Sequence, residues 1–172
     1  MPKLNALQDL FEIVLRDVYD AEKQILHSTP KFIKRAGNPN LKTILEAHLK
    51  DTRDQVTRIE RVFQLFDLKP KAKHCAGMEG ILKEGVELMA MDGEAAVLDA
   101  ACIAAMQMAK HYEITAYGTL AAWCRLLGQN GDALLLLEES EQEEKMADAE
   151  LSELAKSQVN AEALTPGPVL VG

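Results

Sequence analysis

Hydrophobic residues recur along this chain at the three- and four-residue spacing of amphipathic helices. Four long segments show this pattern, at about residues 5–37, 41–67, 94–127 and 133–157, and a shorter one lies at about 76–90. Strings rich in glycine, proline and asparagine separate several of these segments and are typical of turns. No stretch competes as a β-strand. The pattern therefore predicts a chain of helices joined by short connections.

Four long helices bury their apolar faces most simply as a four-helix bundle. The short helix lies in the connection between the second and third long segments, which would allow those two helices to run parallel. The predicted fold class is all-α, a four-helix bundle with one crossover that carries a short extra helix. Pro30 lies inside the first segment and is expected to kink or split that helix. We assign residues 1–157 to the bundle and interpret 158–172, which has no helical period, as a C-terminal tail.

The composition agrees with a single helical domain. The chain has 172 residues, of which 48% are hydrophobic but only 5% aromatic, and strands would need more aromatic and β-branched residues. The 19 basic and 27 acidic residues give a net charge of -8. That balance argues against general binding to nucleic acid or to an anionic membrane.

The cysteines and the apolar stretches indicate the compartment. Cys75, Cys102 and Cys124 are widely spaced and form no CxxC pair, so the sequence supports neither a zinc knuckle nor a disulfide framework. The N-terminus carries charges where a secretory leader would need an apolar core. The most apolar stretch, 95–109, is too short to span a bilayer. We expect a cytoplasmic protein with no membrane or nucleic-acid partner.

Acidic and imidazole side chains lie on or beside the apolar seams of all four long helices, near their middles. They are Glu22 in the first, His48 and Asp51 in the second, Glu113 in the third, and Glu144 and Asp148 in the fourth. A buried carboxylate without a partner is too costly to be retained by chance. These side chains therefore need a metal cation, a proton or a basic partner.

The spacing of these residues suits metal binding. His48 and Asp51 are three residues apart and Glu144 and Asp148 are four apart, so each pair lies on one helix face. Helices in a bundle pack about 8–10 Å apart, which allows four such helices to converge on one or two ions. Carboxylate and imidazole ligands suit iron, manganese or zinc. The alternative is that a basic residue such as Lys110, Arg58 or His48 satisfies the buried acids.

Several stretches of the chain resemble the YciF/YciE family of ferritin-like proteins, in order from about Leu4 to Ala155. The stretches are DLFEIVLRDVYDAEKQIL (9–26), AHLKDTRDQVTRIERVF (47–63), CAGMEGILKEG (75–85), HYEITAYGTLA (111–121) and EEKMADAELSELA (143–155). The resemblance implies a ferritin-like bundle, related in shape to rubrerythrin, that forms homodimers and is linked to the bacterial stress response. It also implies candidate metal ligands, which are Glu22, Asp51, Glu113, Glu144 and Asp148.

Two departures from the family pattern affect the expected metal site. The family commonly has glutamate where this chain has Lys110, which brings a positive charge to the rim of the site. The family often has glutamate at the position of Asp51, whose side chain is one methylene shorter. Both changes shift the expectation from a site for two metal ions towards one ion or none.

Two functions follow as hypotheses. The first is a metal-binding stress-response protein that uses iron or manganese, with zinc as a further option, and handles oxygen or peroxide. The second is a non-enzymatic structural or interaction protein whose core carboxylates pair with Lys110 or His48. The sequence leaves open whether the chain is an enzyme. Iron storage in a 24-subunit cage is a weaker third option, since the resemblance implies a homodimer.

Overall fold

The computed structural model describes residues 4–128 and 131–164, and these form an all-helical bundle. The helices are α1 (Leu7–Arg35), α2 (Pro39–Leu65), α3 (Ala76–Met89), α4 (Ala95–Leu126) and α5 (Asp132–Leu154), followed by a π-helical turn (Ala155–Val159) and α6 (Asn160–Leu164). No strand occurs in these ranges. None of the described helices has the length and apolar character needed to cross a membrane. The predicted all-α bundle with a short crossover helix is confirmed.

The crossover makes α2 and α4 run parallel, as predicted. In the first turns of α4, the buried carboxylate of Asp99 accepts hydrogen bonds from the backbone N–H groups of Gly37 (2.7 Å) and Asn38 (2.8 Å), just before α2 begins. The two helices therefore start at the same end of the bundle. Helix α1 packs on α2 and α4, and α5 packs on the same two helices from the other side. Helix α3 lies outside, against α1 and α4.

The helices extend further than the sequence pattern indicated in two places. Pro30 does not split α1, which is continuous through it, and buried Ile25 and Phe32 anchor the helix on both sides. The chain also stays helical beyond residue 157, as far as Leu164. The extra residue in the π-helical turn changes the direction of the following side chains, and Val159 is fully buried against the apolar core. Residues 165–172 of the predicted tail lie outside the described residues.

The core consists of two apolar clusters with a polar layer between them. One cluster lies towards the C-terminal end of α1 and includes Phe32 and Leu45. The other lies towards its N-terminal end and includes Phe11 and Phe63. Buried polar side chains from four helices fill the middle, and they are Glu22, Thr52, Gln55, Lys110, Glu113, Ser140 and Glu144. This layer holds the candidate site.

Helix α3 approaches α4 closely because Gly85 lacks a side chain. A Cβ atom added at Gly85 would lie 2.7 Å from the Cβ of Ala105 and 2.9 Å from Cζ of Phe32, closer than packed carbon atoms approach. A Cβ added at Gly80, also on α3, would meet no atom within 4 Å. Of these two glycines, only Gly85 is required for the packing of α3 on α4.

We expect Gly85→Ala to lower the free energy of unfolding by about 1–3 kcal/mol, since the new methyl group forces α3 away from α4. Gly80→Ala is the matched control and should be neutral or stabilising by up to about 1 kcal/mol, because alanine favours the helix. Urea unfolding of both variants measures the difference. Equal effects would contradict this account of the α3–α4 contact.

Candidate functional site

One buried ammonium group lies among the core carboxylates. Lys110 and Glu113 are three residues apart on α4 and so lie on one helix face, and Glu144 faces them from α5. The Lys110 Nζ atom is 2.7 Å from Glu144 Oε2 and 3.1 Å from Glu113 Oε2. All three side chains are at most 2% exposed. The amine therefore bridges two carboxyl groups with almost no water around it.

Neutral side chains add hydrogen bonds to the cluster. The hydroxyl of Tyr117, one turn after Glu113, donates to Glu22 Oε1 from α1. The Gln55 Nε2 group on α2 donates to Glu144 Oε1 at 2.8 Å. The site thus joins all four long helices at one depth, through one base, three acids, a tyrosine and an amide.

The charges in the cluster balance only if two of its acids carry protons. Burial, reinforced by the charge of Glu144, raises the pKa of Glu22 to about 8. Burial and the same neighbour also raise the pKa of Glu113 well above its usual range, although Lys110 opposes the shift. Burial would raise the pKa of Glu144 too, but the Lys110 ammonium outweighs it and the pKa is lowered. Glu144 is therefore the ionised acid.

Lys110 remains charged at neutral pH. Burial by itself would lower the pKa of its amine, but the charges of Glu113 and Glu144 outweigh burial and raise the pKa above its usual value. The resting cluster is thus one Lys110–Glu144 ion pair with two neutral carboxylic acids, and its net charge is zero. A neutral polar layer is far less costly to bury than three carboxylates.

The polar layer retains some unused hydrogen-bonding capacity. The protons of the neutral acids are used within the cluster, since hydrogen bonds join the Glu113 carboxyl to those of Glu22 and Glu144. Gln55 Oε1 and Ser140 Oγ are buried and make no hydrogen bond with any described residue. Each of these two atoms has a desolvation cost that a further donor would reduce.

The structure brings together only three of the six predicted metal ligands, Glu22, Glu113 and Glu144. His48 is buried, but its Nε2 atom pairs with Glu150 Oε2 at 3.3 Å, and with Asp51 it lines a cleft of about 80 Å³ at the α2–α5 surface.

Asp148 also lies outside the cluster. Its carboxylate accepts from Gln107 Nε2 at 2.9 Å and lies 3.3 Å from His111 Nε2. His48, Asp51 and Asp148 lie beside the core seam of their helices, and so their side chains point away from the cluster.

The converged residues fit a metal ion poorly as they are arranged. The Lys110 ammonium lies between the carboxyl groups that a bridging ion would use, and an ammonium has only donors to offer. In the described ranges, no group of three or more histidine, cysteine, aspartate or glutamate side chains is arranged to hold a metal. The cluster as it stands fits an internal cation. Binding of iron, manganese or zinc here stays a prediction.

The sequence-based alternative in which Lys110 pairs with the buried acids is confirmed by its contacts with Glu113 and Glu144. Sequence reasoning had expected the charge at the rim of the site, and it missed the roles of Gln55 and Tyr117. The signal for Lys110 was its spacing of three residues from Glu113. Gln55 and Tyr117 lie on the predicted seams of their helices, but a seam position does not reveal the hydrogen-bond partner.

Comparison with known proteins gives a consistent set of relatives. Residues 6–164 match the family described as a domain of unknown function (DUF892). Protein YciF of Escherichia coli (strain K12) is 38% identical over 161 residues, which cover 93% of this chain and 96% of that protein. The crystal structure of the E. coli stress protein YciF matches with a TM-score of 0.87 at 39% identity, over 91% of this chain and 99% of that chain.

Two further solved structures extend this set. YcfI, a putative structural protein from Rhodopseudomonas palustris, matches with a TM-score of 0.85 at 38% identity, over 87% of this chain and 95% of that chain. A protein from Xanthomonas campestris matches with a TM-score of 0.68 at 23% identity, over 90% and 93% of the two chains. At that identity the last match shows the fold alone.

The raised pKa of Glu22 links protein stability to pH. Between its ordinary pKa of 4.5 and the folded value of about 8, the folded protein holds a proton that the unfolded chain has released. The unfolded state binds fewer protons in this window, so the free energy of unfolding falls as pH rises. Stability from this group is fully present below pH 4.5 and is lost by about pH 8.

We expect Glu22→Gln to make the free energy of unfolding fall less steeply with pH, since glutamine cannot ionise. Some pH dependence should remain, because Glu113 is still present in the variant. Urea unfolding between about pH 5 and 8 measures the change for both proteins. Glu46→Gln, at an exposed position on α2, is the control and should keep the wild-type slope. A Glu22→Gln slope equal to that of the wild type would contradict the protonated state assigned to Glu22.

Proposed function

The chain belongs to the DUF892 family, and on this basis we propose that it is a non-enzymatic structural or interaction protein of the bacterial stress response. Relatives described as a stress protein and as a putative structural protein support this role. The core of the protein holds its own cation, Lys110, and its interactions take place at the surface. A cytoplasmic location without nucleic-acid or membrane partners is part of the proposal, in keeping with the net charge of -8.

The observation that supports this proposal most strongly is the closed Lys110 cluster. A catalytic group has to reach its substrate directly or through one water molecule. Glu22, Lys110, Glu113 and Glu144 are each 2% exposed or less, between two apolar clusters. These side chains make ion pairs and hydrogen bonds with one another, and so the cluster acts as a structural element.

A buried cluster of this kind fixes the relative positions of the helices more than it adds stability. Replacing a buried ion pair by apolar residues is often neutral, whereas removing one partner leaves an uncompensated charge. Lys110 can meet both Glu113 and Glu144 only if α4 and α5 are in the observed register. The cluster therefore selects one packing of α1, α4 and α5.

We expect Lys110→Met to lower the free energy of unfolding by about 3–5 kcal/mol, because the Glu144 carboxylate loses its counter-ion in a dry environment. Lys145→Met removes an exposed partner of Glu141 on α5 and should cost less than about 1 kcal/mol. Urea unfolding at pH 7 compares the two variants. A neutral effect of Lys110→Met would refute the structural role of the ammonium.

Metal binding is the second candidate function. Three buried carboxyl groups converge from three helices, and each of these side chains is at most 2% exposed. Glu22, Glu113 and Glu144 would hold the ion after Lys110 moved aside and two protons left. Bound iron or manganese would supply redox chemistry towards oxygen or peroxide. A rise in the wild-type melting temperature with Fe(II) or Mn(II), absent in Glu113→Ala, would favour this candidate.

The outward face of α4 supports the proposed homodimer. Most of its exposed positions are uncharged, and they include Val97, Ala104, Met108, Thr115 and Ala122. The exposed ionisable residues are His111, in the middle of the helix beside Asp148, and Arg125 in its last turn. A helix of 32 residues is about 48 Å long. A strip of that length and about 10 Å wide has an area of about 480 Å², more than half of the roughly 800 Å² per partner of a standard interface, and exposed Leu88 of α3 extends it. We propose that a second copy of the chain covers it.

We expect wild-type protein to have the mass of a dimer by light scattering and Met108→Glu to have that of a monomer, since the new carboxylate would lose its water in the interface. Met146→Glu is the control, because Met146 is similarly exposed but lies at the α2–α5 cleft. A monomeric wild type, a 24-subunit mass, or a Met108→Glu dimer would each contradict the proposal.

A further inference from the structure

A long groove between α1 and α3 has no role in the functions discussed above. Two adjoining clefts of about 650 and 570 Å³ share Lys31 and Val86 and so form one groove. Its walls are mostly exposed charged side chains, which leaves it open to solvent along its length. The floor is largely apolar and consists of Ser28, Phe32, Leu82, Val86 and Met89.

The α1 wall of the groove is basic from Lys23 to Arg35, and Asp20 lines it at the opposite end. From residue 23 to the end of α1, every ionisable side chain is basic, whereas all the acids of α1 precede residue 23. The basic residues are Lys23, His27, Lys31, Lys34 and Arg35. This stripe stands out in a chain with a net charge of -8.

The middle of this stripe is available to a partner. His27, Lys31 and Lys34 form no ion pair with any described residue, in contrast to Lys23, which lies over the Tyr19 ring at 3.8 Å. Arg35 donates from Nε to the backbone carbonyl of Met89 at 2.7 Å and so ties α1 to the end of α3. The three unpaired bases therefore lie beside an apolar floor, and acidic groups would complement them.

The α3 wall is nearly balanced in charge. Lys83 and Glu87 lie 4.0 Å apart, and Glu79 pairs with His74 at 3.1 Å. Asp92 is the acid of the groove at the Arg35 end. The groove is thus asymmetric across its width, basic towards α1 and mixed towards α3.

We propose that this groove binds an amphipathic helix of a partner protein, with apolar residues on the floor and an acidic edge along α1. The inference rests on the proposed function as an interaction protein and names the chemistry of one partner. Apolar anchors at helical spacing would supply affinity. The acidic edge would set the orientation of the helix and speed its association.

The dimensions and charge of the groove favour a helix over other ligands. The twelve residue steps from Lys23 to Arg35 correspond to about 18 Å, or roughly three helical turns. Small-molecule sites bury most of their ligand, which an open groove cannot do. A nucleic acid or an anionic membrane would meet Glu79, Glu87 and Asp92 on the opposite side.

The test uses the full-length protein and a fluorescent synthetic helix of about 18 residues, with leucines at helical spacing and glutamates along one edge. A matched peptide has lysines in place of the glutamates. Fluorescence anisotropy should show saturable binding of the acidic peptide, weaker at high salt, and none of the lysine peptide.

Two sets of variants assign the binding to the groove. Lys31→Glu combined with Lys34→Glu should weaken binding of the acidic peptide at least about tenfold, and Val86→Glu should abolish it. Lys42→Glu combined with Lys50→Glu makes the same change in net charge on α2, away from the groove, and should leave the affinity unchanged. Thermal unfolding checks that all variants fold.

Several results would overturn the groove proposal. These are no saturable binding of the acidic peptide, an equal loss with the α2 control pair, or preferential capture of the lysine peptide or of anionic phosphatidylglycerol vesicles. If one of these results were found and Lys110→Met were strongly destabilising, the groove proposal would fail but the proposed non-enzymatic role would stand. A neutral Lys110→Met would instead refute that role while leaving the peptide result to be judged on its own.

Discussion

The structure depends on the cancellation of charge inside a dry helical bundle. Three carboxyl groups and one amine meet at the same depth, and apolar clusters on both sides keep water out. Lys110 neutralises Glu144, and burial keeps Glu22 and Glu113 protonated. Because these contacts join α1, α4 and α5 at one depth, the cluster favours the observed register of the three helices.

Much of the fold could be predicted because helical periodicity is a local property of the sequence. The bounds of α2, α3 and α4 agree with the prediction to within about two residues, and the parallel course of α2 and α4 followed from the length of their connection. No sequence pattern predicted the π-helical turn that buries Val159. The turn depends on packing of Val159 against the apolar cluster at that end of the bundle. Pro30 does not split α1 for a similar reason, because packing on both sides outweighs one lost backbone hydrogen bond.

The candidate site was predictable in part. Seam positions correctly indicated that Glu22, Glu113 and Glu144 lie in the core, because spacing determines which face of a helix a residue occupies. Spacing does not determine where a long side chain ends, and so the Lys110 ammonium was expected at the rim and lies at the centre. Residues adjacent to a seam position, such as Asp51, lie at the surface and not in the core cluster. These choices depend on the free energy of the whole cluster and not on any single helix.

Because the core is closed, interactions with other molecules take place at the surface, where α4 has a largely uncharged face and α1 has a basic stripe beside an apolar groove. The central claim is that Lys110 is the cation of the core. A high-resolution crystal structure of protein purified without chelator, with anomalous scattering data at the iron and manganese edges, tests this most directly. The account predicts the Lys110 amine between Glu113 and Glu144 and no anomalous peak in the cluster. A metal peak coordinated by these carboxylates, with Lys110 displaced, would contradict it.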